Sequence, residues 1–261
     1  MEEPEIIAYI STEYESLHDI ACLENGQAWV NGGGIMTRLD IKGNVLEKIS
    51  TANKCPANGL AVNDDGELLY SDYNEEKIYL VKHGKPRTLN KTQWGPGGIC
   101  LSGSGKIMAV TCEERRRLFQ VEVFDGKNGG YIKRFELLEL KGGRYLTFYI
   151  AENINRDICI ADLNAKIVVV FNRDGNLRFH YRGRNLLQNF DPHYIATDSQ
   201  GHILVSDNGN RCVHILSSDG ELISVLDKLG LEDPRGISID KEDKLWVIEK
   251  SGRIKVIQYL K

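Results

Sequence analysis

The residues of this 261-residue chain that could do chemistry are few and scattered. Its six cysteines stand at Cys22, Cys55, Cys100, Cys112, Cys159 and Cys212, with no Cys-x-x-Cys pair and no histidine at zinc-finger spacing. A structural zinc framework needs soft donors converging from such fixed spacings. The cysteines are therefore read as small strand or loop residues of a reducing compartment, and no metal or cofactor is expected. Ser102-Gly103-Ser104-Gly105 shares letters with the nucleophile elbow, but that motif needs a strand-to-helix turn, and this stretch reads as a turn between two strands. No phosphate-cradling loop is present. Three sets remain. His18, Asp19, Asn58 and His193 could ligate a divalent cation if they converged, Arg115-Arg116-Arg117 could meet phosphates, and Tyr73, Phe148, Tyr149 and Tyr194 could anchor an interface.

What could bring such residues together is a repeat. Residues 192–207 read PHYIATDSQGHILVSD, residues 234–249 PRGISIDKEDKLWVIE and residues 57–72 ANGLAVNDDGELLYSD. Weaker copies are HDIACLENGQAWVNG (18–32), GGICLSGSGKIMAVT (97–111) and FYIAENINRDICIAD (148–162). Each has a short apolar strand, a polar turn centred on Gly26, Gly66, Gly105, Arg156, Gly201 or Asp243, and a second apolar strand. A further turn (SDNGNR, SDYNEEK, ADLNAK), a third strand (VHIL, IYLV, VVVF), a glycine turn and a fourth strand follow. Four strands per unit and a period of roughly 40 residues predict a propeller blade. The chain is therefore expected to be all-β, a single six-bladed β-propeller with blades over approximately 18–50, 55–91, 95–136, 144–183, 190–227 and 232–261.

The sixth copy ends without a fourth strand, while EIIAYIS (5–11) matches the fourth strands ELISVLD and NVLEKIS. Residues 5–11 are therefore expected to pair with the last blade and close the ring, which removes open sheet edges. Trp29 and Trp246 fall in second strands and are expected to pack. Hydrophobic residues at 41% with charges at 27% exclude a disordered chain. The acidic start MEEPEIIAYIS has too short an apolar run for a signal peptide or a span, so a cytoplasmic protein without membrane contact is expected.

The pattern P-x-G-I-x-x-D-x-x-G-x-L-x-V-x-D-x-x-N, nearly whole from Pro192 to Asn210 and in part from Pro234 to Trp246, resembles the NHL repeat. The whole chain is similar to the C-terminal propeller of invertebrate, mollusc-type tripartite-motif (TRIM) NHL proteins. In that family a RING supplies ubiquitin-ligase activity. The resemblance thus implies a non-catalytic recognition module whose partner is a protein or a ligase substrate, and several such propellers bind RNA on the loop face. Departures from the pattern are Cys212 and Ile167 where the repeat carries Arg, Thr111 for the Asp of blade 3, and Arg156 and Thr147 for the turn Gly and leading Pro of blade 4.

In a propeller the loops entering the first strand and those between the second and third strands share one face. The residue before the first strand reads His18, Asn58, Gly97, Phe148, His193 and Arg235, and the next reads Asp19, Gly59, Gly98, Tyr149, Tyr194 and Gly236. The later loops add Tyr73, Lys166, Asn208, Asn210 and Arg211 to this candidate partner face. Asp72, Asp162 and Asp207 are expected to accept hydrogen bonds from their own turns. The net charge of −4 gives no global pull toward nucleic acid, but Lys and Arg outnumber Asp and Glu between Arg115 and Arg184. Arg115, Arg116, Arg117 and Arg144, joined by Lys133, Arg134, Lys141, Arg182 and Arg184, form a candidate single-stranded RNA patch, with Phe148, Tyr149 or Tyr194 to stack bases. A metal-dependent hydrolase or lactonase at the channel mouth is the third reading.

Overall fold

The computed structural model describes residues 3–113, 115, 117–137, 148–184 and 189–260. These residues form six four-stranded antiparallel sheets arranged as the blades of a propeller. Blade 1 holds β2 (Asp19–Cys22), β3 (Gln27–Gly32), β4 (Ile35–Asp40) and β5 (Val45–Ser50). Blade 2 holds β6 (Gly59–Val62), β7 (Leu68–Asp72), β8 (Lys77–Lys82) and β9 (Lys85–Lys91). Blade 3 holds β10 (Gly95–Leu101), β11 (Lys106–Glu113), β12 (Leu118–Asp125) and β13 (Tyr131–Glu136). Blade 4 holds β14 (Phe148–Glu152), β15 (Ile158–Asp162), β16 (Ile167–Phe171) and β17 (Leu177–Tyr181), and blade 5 holds β18 (Pro192–Thr197), β19 (Ile203–Asp207), β20 (Cys212–Leu216) and β21 (Leu222–Leu226). Blade 6 holds β22 (Pro234–Ile239), β23 (Lys244–Glu249) and β24 (Arg253–Gln258), completed at its outer edge by β1 (Glu5–Ser11).

The middle strands are apolar runs because each is covered on both faces. In β15 and β16, Ile158, Ile160, Val169 and Phe171 face blade 3, while Cys159, Ala161, Val168 and Val170 face blade 5. A strand's two-residue period thus divides one sequence between two cores. Six apolar clusters result, one at each junction between neighbouring blades. Outer strands such as LRFHY of β17 meet solvent on one side and alternate accordingly. Trp29 and Trp246 are buried as expected, and Trp246 Nε1 donates to Asp240 Oδ2 at 3.0 Å.

Ring closure follows the sequence reading. β1 runs antiparallel to β24 from Glu5↔Gln258 to Ser11↔Arg253, and Ile10 enters the core between blades 6 and 1. The turns between first and second strands need a left-handed residue. Gly201 supplies it at φ 84° in blade 5, whereas Arg156 and Asp243 adopt φ 69° and 56° in blades 4 and 6. A side chain in this region crowds its own backbone, so these two turns are strained relative to glycine.

Candidate functional site

The face carrying the loops between second and third strands is built on one local device. Asp72, Asp162 and Asp207 end their second strands, and each Oδ1 accepts the amide three residues on, from Glu75 (3.0 Å), Ala165 (2.9 Å) and Asn210 (3.2 Å). This is the expected side-chain turn. Each turn then closes on a left-handed residue, Glu76, Lys166 or Arg211, at φ 53–54°. Blade 3 differs in that its second and third strands run further before they turn. There β11 and β12 pair without a break as far as Glu113↔Leu118, and Arg117 is left-handed at φ 54°. Thr111 pairs with Pro96 as Asp207 pairs with Pro192, so it holds the Asp position in the sheet, where it is buried and donates to Glu122 Oε1 at 2.8 Å; the hairpin runs on beyond it to Glu113. Arg117, Lys166 and Arg211 are thus the left-handed residues that close this hairpin in three consecutive blades, Arg117 on the longer arms of blade 3, and all three are exposed.

The loops are held to the chain entering each blade. In blade 5, Asp207 Oδ1 accepts the Asp191 amide (3.0 Å) and Lys166 Nζ reaches Asn189 Oδ1 (2.9 Å). In blade 2, Asn58 Oδ1 accepts the Tyr73 amide at 2.9 Å. In blade 6, Glu249 Oε1 accepts the Glu232 amide at 2.8 Å, and the buried Lys255 ammonium lies 3.0 Å from the same oxygen.

The channel mouth is asymmetric. A Cβ on Gly59 would stand 2.8 Å from the Ile99 amide nitrogen, and one on Gly98 2.6 Å from the Phe148 carbonyl oxygen, so glycine lets these inner strands approach. Across the mouth the space is filled by Tyr149 and Tyr194, whose rings stack at 3.4 Å with 25° between planes. The Tyr194 hydroxyl donates to the His18 carbonyl at 2.7 Å, joining blade 5 to blade 1. Beneath lies a channel cavity of about 280 Å³. Asp19 is buried there, and its two oxygens accept the Ile20 and Leu60 amides, both at 2.6 Å. Burial pushes its carboxyl up to about 7, against the opposing effect of those amides and the Tyr194 hydroxyl.

The four residues considered as cation ligands do not meet as a set of free donors. Asp19 and Asn58 serve backbone amides, and His193 Nε2 lies 3.3 Å from Asp191 Oδ2. Burial outweighs that carboxylate and holds His193 below its ordinary value, and burial with the Arg235 charge does the same for His18.

Two candidate contact residues lie inside the protein. Phe148 is 1% exposed and meets Phe119 edge to face at 4.9 Å. The cause is a register difference. Blades 3, 5 and 6 carry a β-bulge after Pro96, Pro192 and Pro234, which presents Gly97, His193 and Arg235. Blade 4 pairs Phe148↔Asp162 without a bulge, so Phe148 takes the buried place of the proline. Tyr194 is likewise buried, by the stack and its bond to His18. Neither can stack a base or anchor a partner at the surface. His18, Asn58, Tyr73, Tyr149, His193, Asn208, Asn210 and Arg235 are half-buried on this face, and Lys166, Arg211, Arg115 and Arg117 are exposed. Arg116, Lys141, Arg144 and Thr147 lie outside the described residues.

The basic stretch is split between the two faces. Lys133 lines a cavity of about 460 Å³ between blades 3 and 4 at the opposite end, with Lys106, Phe135, Arg156 and Arg173, and donates to the Arg173 carbonyl at 3.1 Å. Arg134 donates to Gln93. Arg184 lines a smaller cavity on the loop side of blade 5. A buried polar cluster in that blade escaped the sequence reading. His214 Nε2 stands 3.1 Å from Asp207 Oδ2, and Tyr181 Oη 2.6 Å from His214 Nδ1. Its signal was available: Cys212 and His214 alternate in a strand and so share a face, and Asp207 pairs directly opposite Cys212.

No protein-family model matches the chain. A stretch of 104 residues, 38% of this chain, is 25% identical to Protein brain tumor of Drosophila melanogaster, and it amounts to 10% of that protein. Among solved structures, a gluconolactonase from Xanthomonas campestris superposes with a TM-score of 0.73 at 14% identity, covering 94% of this chain and 87% of that one. The β-propeller domain of Swd1 from Myceliophteria thermophila gives 0.68 at 13%, covering 98% and 100%. At such identities these likenesses show the fold alone.

Proposed function

We propose that this propeller is a non-catalytic recognition platform that takes a protein partner on the face of the strand 2–3 loops, as the substrate- or partner-binding module of a TRIM-NHL-like ubiquitin ligase. The observation that carries the reading is the construction of that face. One turn design repeats in blades 2, 4 and 5, each turn is tied to the entering chain or to its own Asp, and the mouth between the turns is filled by the Tyr149–Tyr194 stack. Such a surface is pre-organised, so little ordering entropy is lost when a partner docks. Half-buried Tyr73 and Arg235, with exposed Lys166 and Arg211, supply the residue types that anchor interfaces. The channel offers a hydrolase little: its mouth carboxylate, Asp19, is occupied by two amides. The partial likeness to Protein brain tumor is consistent with the TRIM-NHL assignment. In this reading the ligase chemistry comes from a RING outside these residues, and the platform works in the cytoplasm.

The test is affinity capture with the wild type, a loop-face variant (Tyr73→Ala, Lys166→Glu, Arg211→Glu, Arg235→Glu) and an opposite-face variant (Lys106→Glu, Arg173→Glu). A partner held by the wild type and the opposite-face variant but released by the loop-face variant supports the reading. Retention by the loop-face variant refutes it.

One observation favours RNA as the second reading: the left-handed turn residue is basic in three consecutive blades, Arg117, Lys166 and Arg211. Their arc could follow a single-stranded backbone. Neutralising all three should then flatten the salt dependence of RNA binding by about 2 in log–log slope. Binding indifferent to salt and to these changes removes this reading.

A further inference from the structure

We infer that Asp207, Cys212 and His214 form a zinc site on the loop side of blade 5, with a fourth coordination position open to a small cavity. The three side chains bring one carboxylate oxygen, one sulfur and one imidazole nitrogen within 4.8 Å of one another. All three residues are 2% exposed or less. The donor set is of zinc type, mixing a soft thiolate with an imidazole and a carboxylate.

One edge of the site is close to what the ion requires. Donors at zinc bond lengths stand about 3.3 to 3.6 Å apart on the edges of a tetrahedron. His214 Nε2 and Asp207 Oδ2 are already 3.1 Å apart. The sheet fixes this arrangement, since Cys212 and His214 lie two apart on one strand and Asp207 pairs with Cys212 across the hairpin. The outer shell is also present. Tyr181 Oη lies 2.6 Å from His214 Nδ1, the nitrogen left free when Nε2 binds a metal, and Asn210 Nδ2 donates to Asp207 Oδ2 at 2.7 Å. Such partners orient a metal-binding imidazole and carboxylate. The open position faces a cavity of about 200 Å³ lined by Arg184, Asn210, Cys212, His214, Val225 and Asp227, room for a coordinated water.

The same residues do not make a cysteine nucleophile. Both ring nitrogens of His214 are engaged, by Asp207 and Tyr181, so neither is free to take the thiol proton. Burial, with the Asp207 and Asp227 charges, pushes the thiol up to about 12. Zinc reverses this by supplying the charge that a thiolate needs. The binding step is balanced: Zn²⁺ bonds to the Cys212 sulfur, His214 Nε2 and an Asp207 oxygen. The thiol proton leaves to solvent, any proton on Nε2 is displaced, and the bound imidazole keeps one proton on Nδ1, toward Tyr181 Oη. One thiolate and one carboxylate then neutralise the ion.

The purified chain, stripped with a chelator, is titrated with Zn²⁺ alone against a chromophoric competitor and, separately, with Co²⁺ alone. One ion per chain is expected, with a thiolate-to-Co²⁺ charge-transfer band. Cys212→Ser should remove the band, and Cys212→Ser and His214→Gln should each weaken Zn²⁺ by more than about 100-fold, beyond the loss for an outer-shell partner. Tyr181→Phe should keep the band and weaken binding by about 10- to 100-fold. Cys55→Ser, at an exposed cysteine, should change neither. X-ray absorption of the wild-type zinc complex should find one sulfur among nitrogen and oxygen neighbours, a reading that needs no variant. No binding, a band that survives Cys212→Ser, or a zinc shell without sulfur would overturn the assignment.

Discussion

Blade 5 is one continuous segment, Pro192 to Leu226, whereas blade 6 is assembled from both ends of the chain, Pro234–Gln258 and Glu5–Ser11. The two also differ beneath their loops. At the same register position blade 5 has His214 facing Asp207, and blade 6 has Lys255 facing Glu249. Each pair ties a loop to the entering chain, through the Asp191 amide or the Glu232 amide. The comparison teaches that the repeat specifies a buried acceptor at this place and leaves its partner free to vary. A buried ammonium must be fully paired. Lys255 meets that demand with Glu249 and with the Leu229 and Gly230 carbonyls.

The comparison breaks most severely at the closure. Deleting residues 1–11 removes the outer strand of blade 6 and takes Ile10 from the core between blades 6 and 1. A loss of about 5 kcal/mol or more in chemical denaturation is expected, because apolar burial and an edge ladder disappear together. Blade 6 should next prove more sensitive than blade 5. Lys255→Met takes from the buried Glu249 carboxylate its buried counter-charge, leaving the partly exposed Arg253 guanidinium at 3.1 Å and the Glu232 amide, and should cost about 3 kcal/mol, and Glu249→Gln added to it should recover part of that. His214→Gln leaves the Asp207 carboxylate held by the Asp191 and Asn210 amides and the Asn210 side chain, and should cost only about 1 to 2 kcal/mol. Equal losses in the two blades would show that the buried charge does not set the difference.

A third contrast lies at the mouth, where blade 5 places Tyr194 and blade 6 places Gly236. Tyr194 lies against Asp19, whose carboxyl is raised to about 7, above its unfolded value near 4. The folded state therefore binds more protons between these values, and this group's contribution makes stability fall as pH rises from about 4 to about 7. His18 and His193, lowered by burial, act with the opposite slope, so the readout is the difference between wild-type and Asp19→Asn denaturation curves. That difference should change across the window; a constant offset would show that Asp19 does not titrate there. The smallest effect concerns the turns. Arg156→Gly should stabilise by about 0.5 to 1 kcal/mol, since glycine accepts φ 69° without strain. Asp243→Gly should gain less, because Asp243 also accepts the Ser199 amide and hydroxyl.

The architecture was legible because it rests on short-range patterns: alternating strands, turn glycines and a period that returns six times. Even the closure could be read, since EIIAYIS carries the pattern of a fourth strand. The site was less legible because its determinants are registers. Whether Phe148 faces the partner or the core depends on a bulge that blade 4 lacks. Whether Thr111 or Glu113 ends a strand depends on an unbroken hairpin. Tyr194 is buried by its stack on Tyr149 of blade 4 and its bond to the His18 carbonyl of blade 1, a condition no local window contains. Linear charge misled for a related reason: Lys133 and Arg117 are close in sequence yet lie at opposite ends of blade 3. Cys212-x-His214 has no metal-loop spacing, and only the strand pairing sets Asp207 opposite Cys212.

The most direct test of the proposed platform is amide hydrogen exchange of the propeller with and without its captured partner. Added protection in the turns at 73–76, 163–166 and 208–211, with the turns at 64–66, 103–105 and 199–201 unchanged, is the expected result. Protection confined to the second set would place the partner on the opposite face and contradict the proposal.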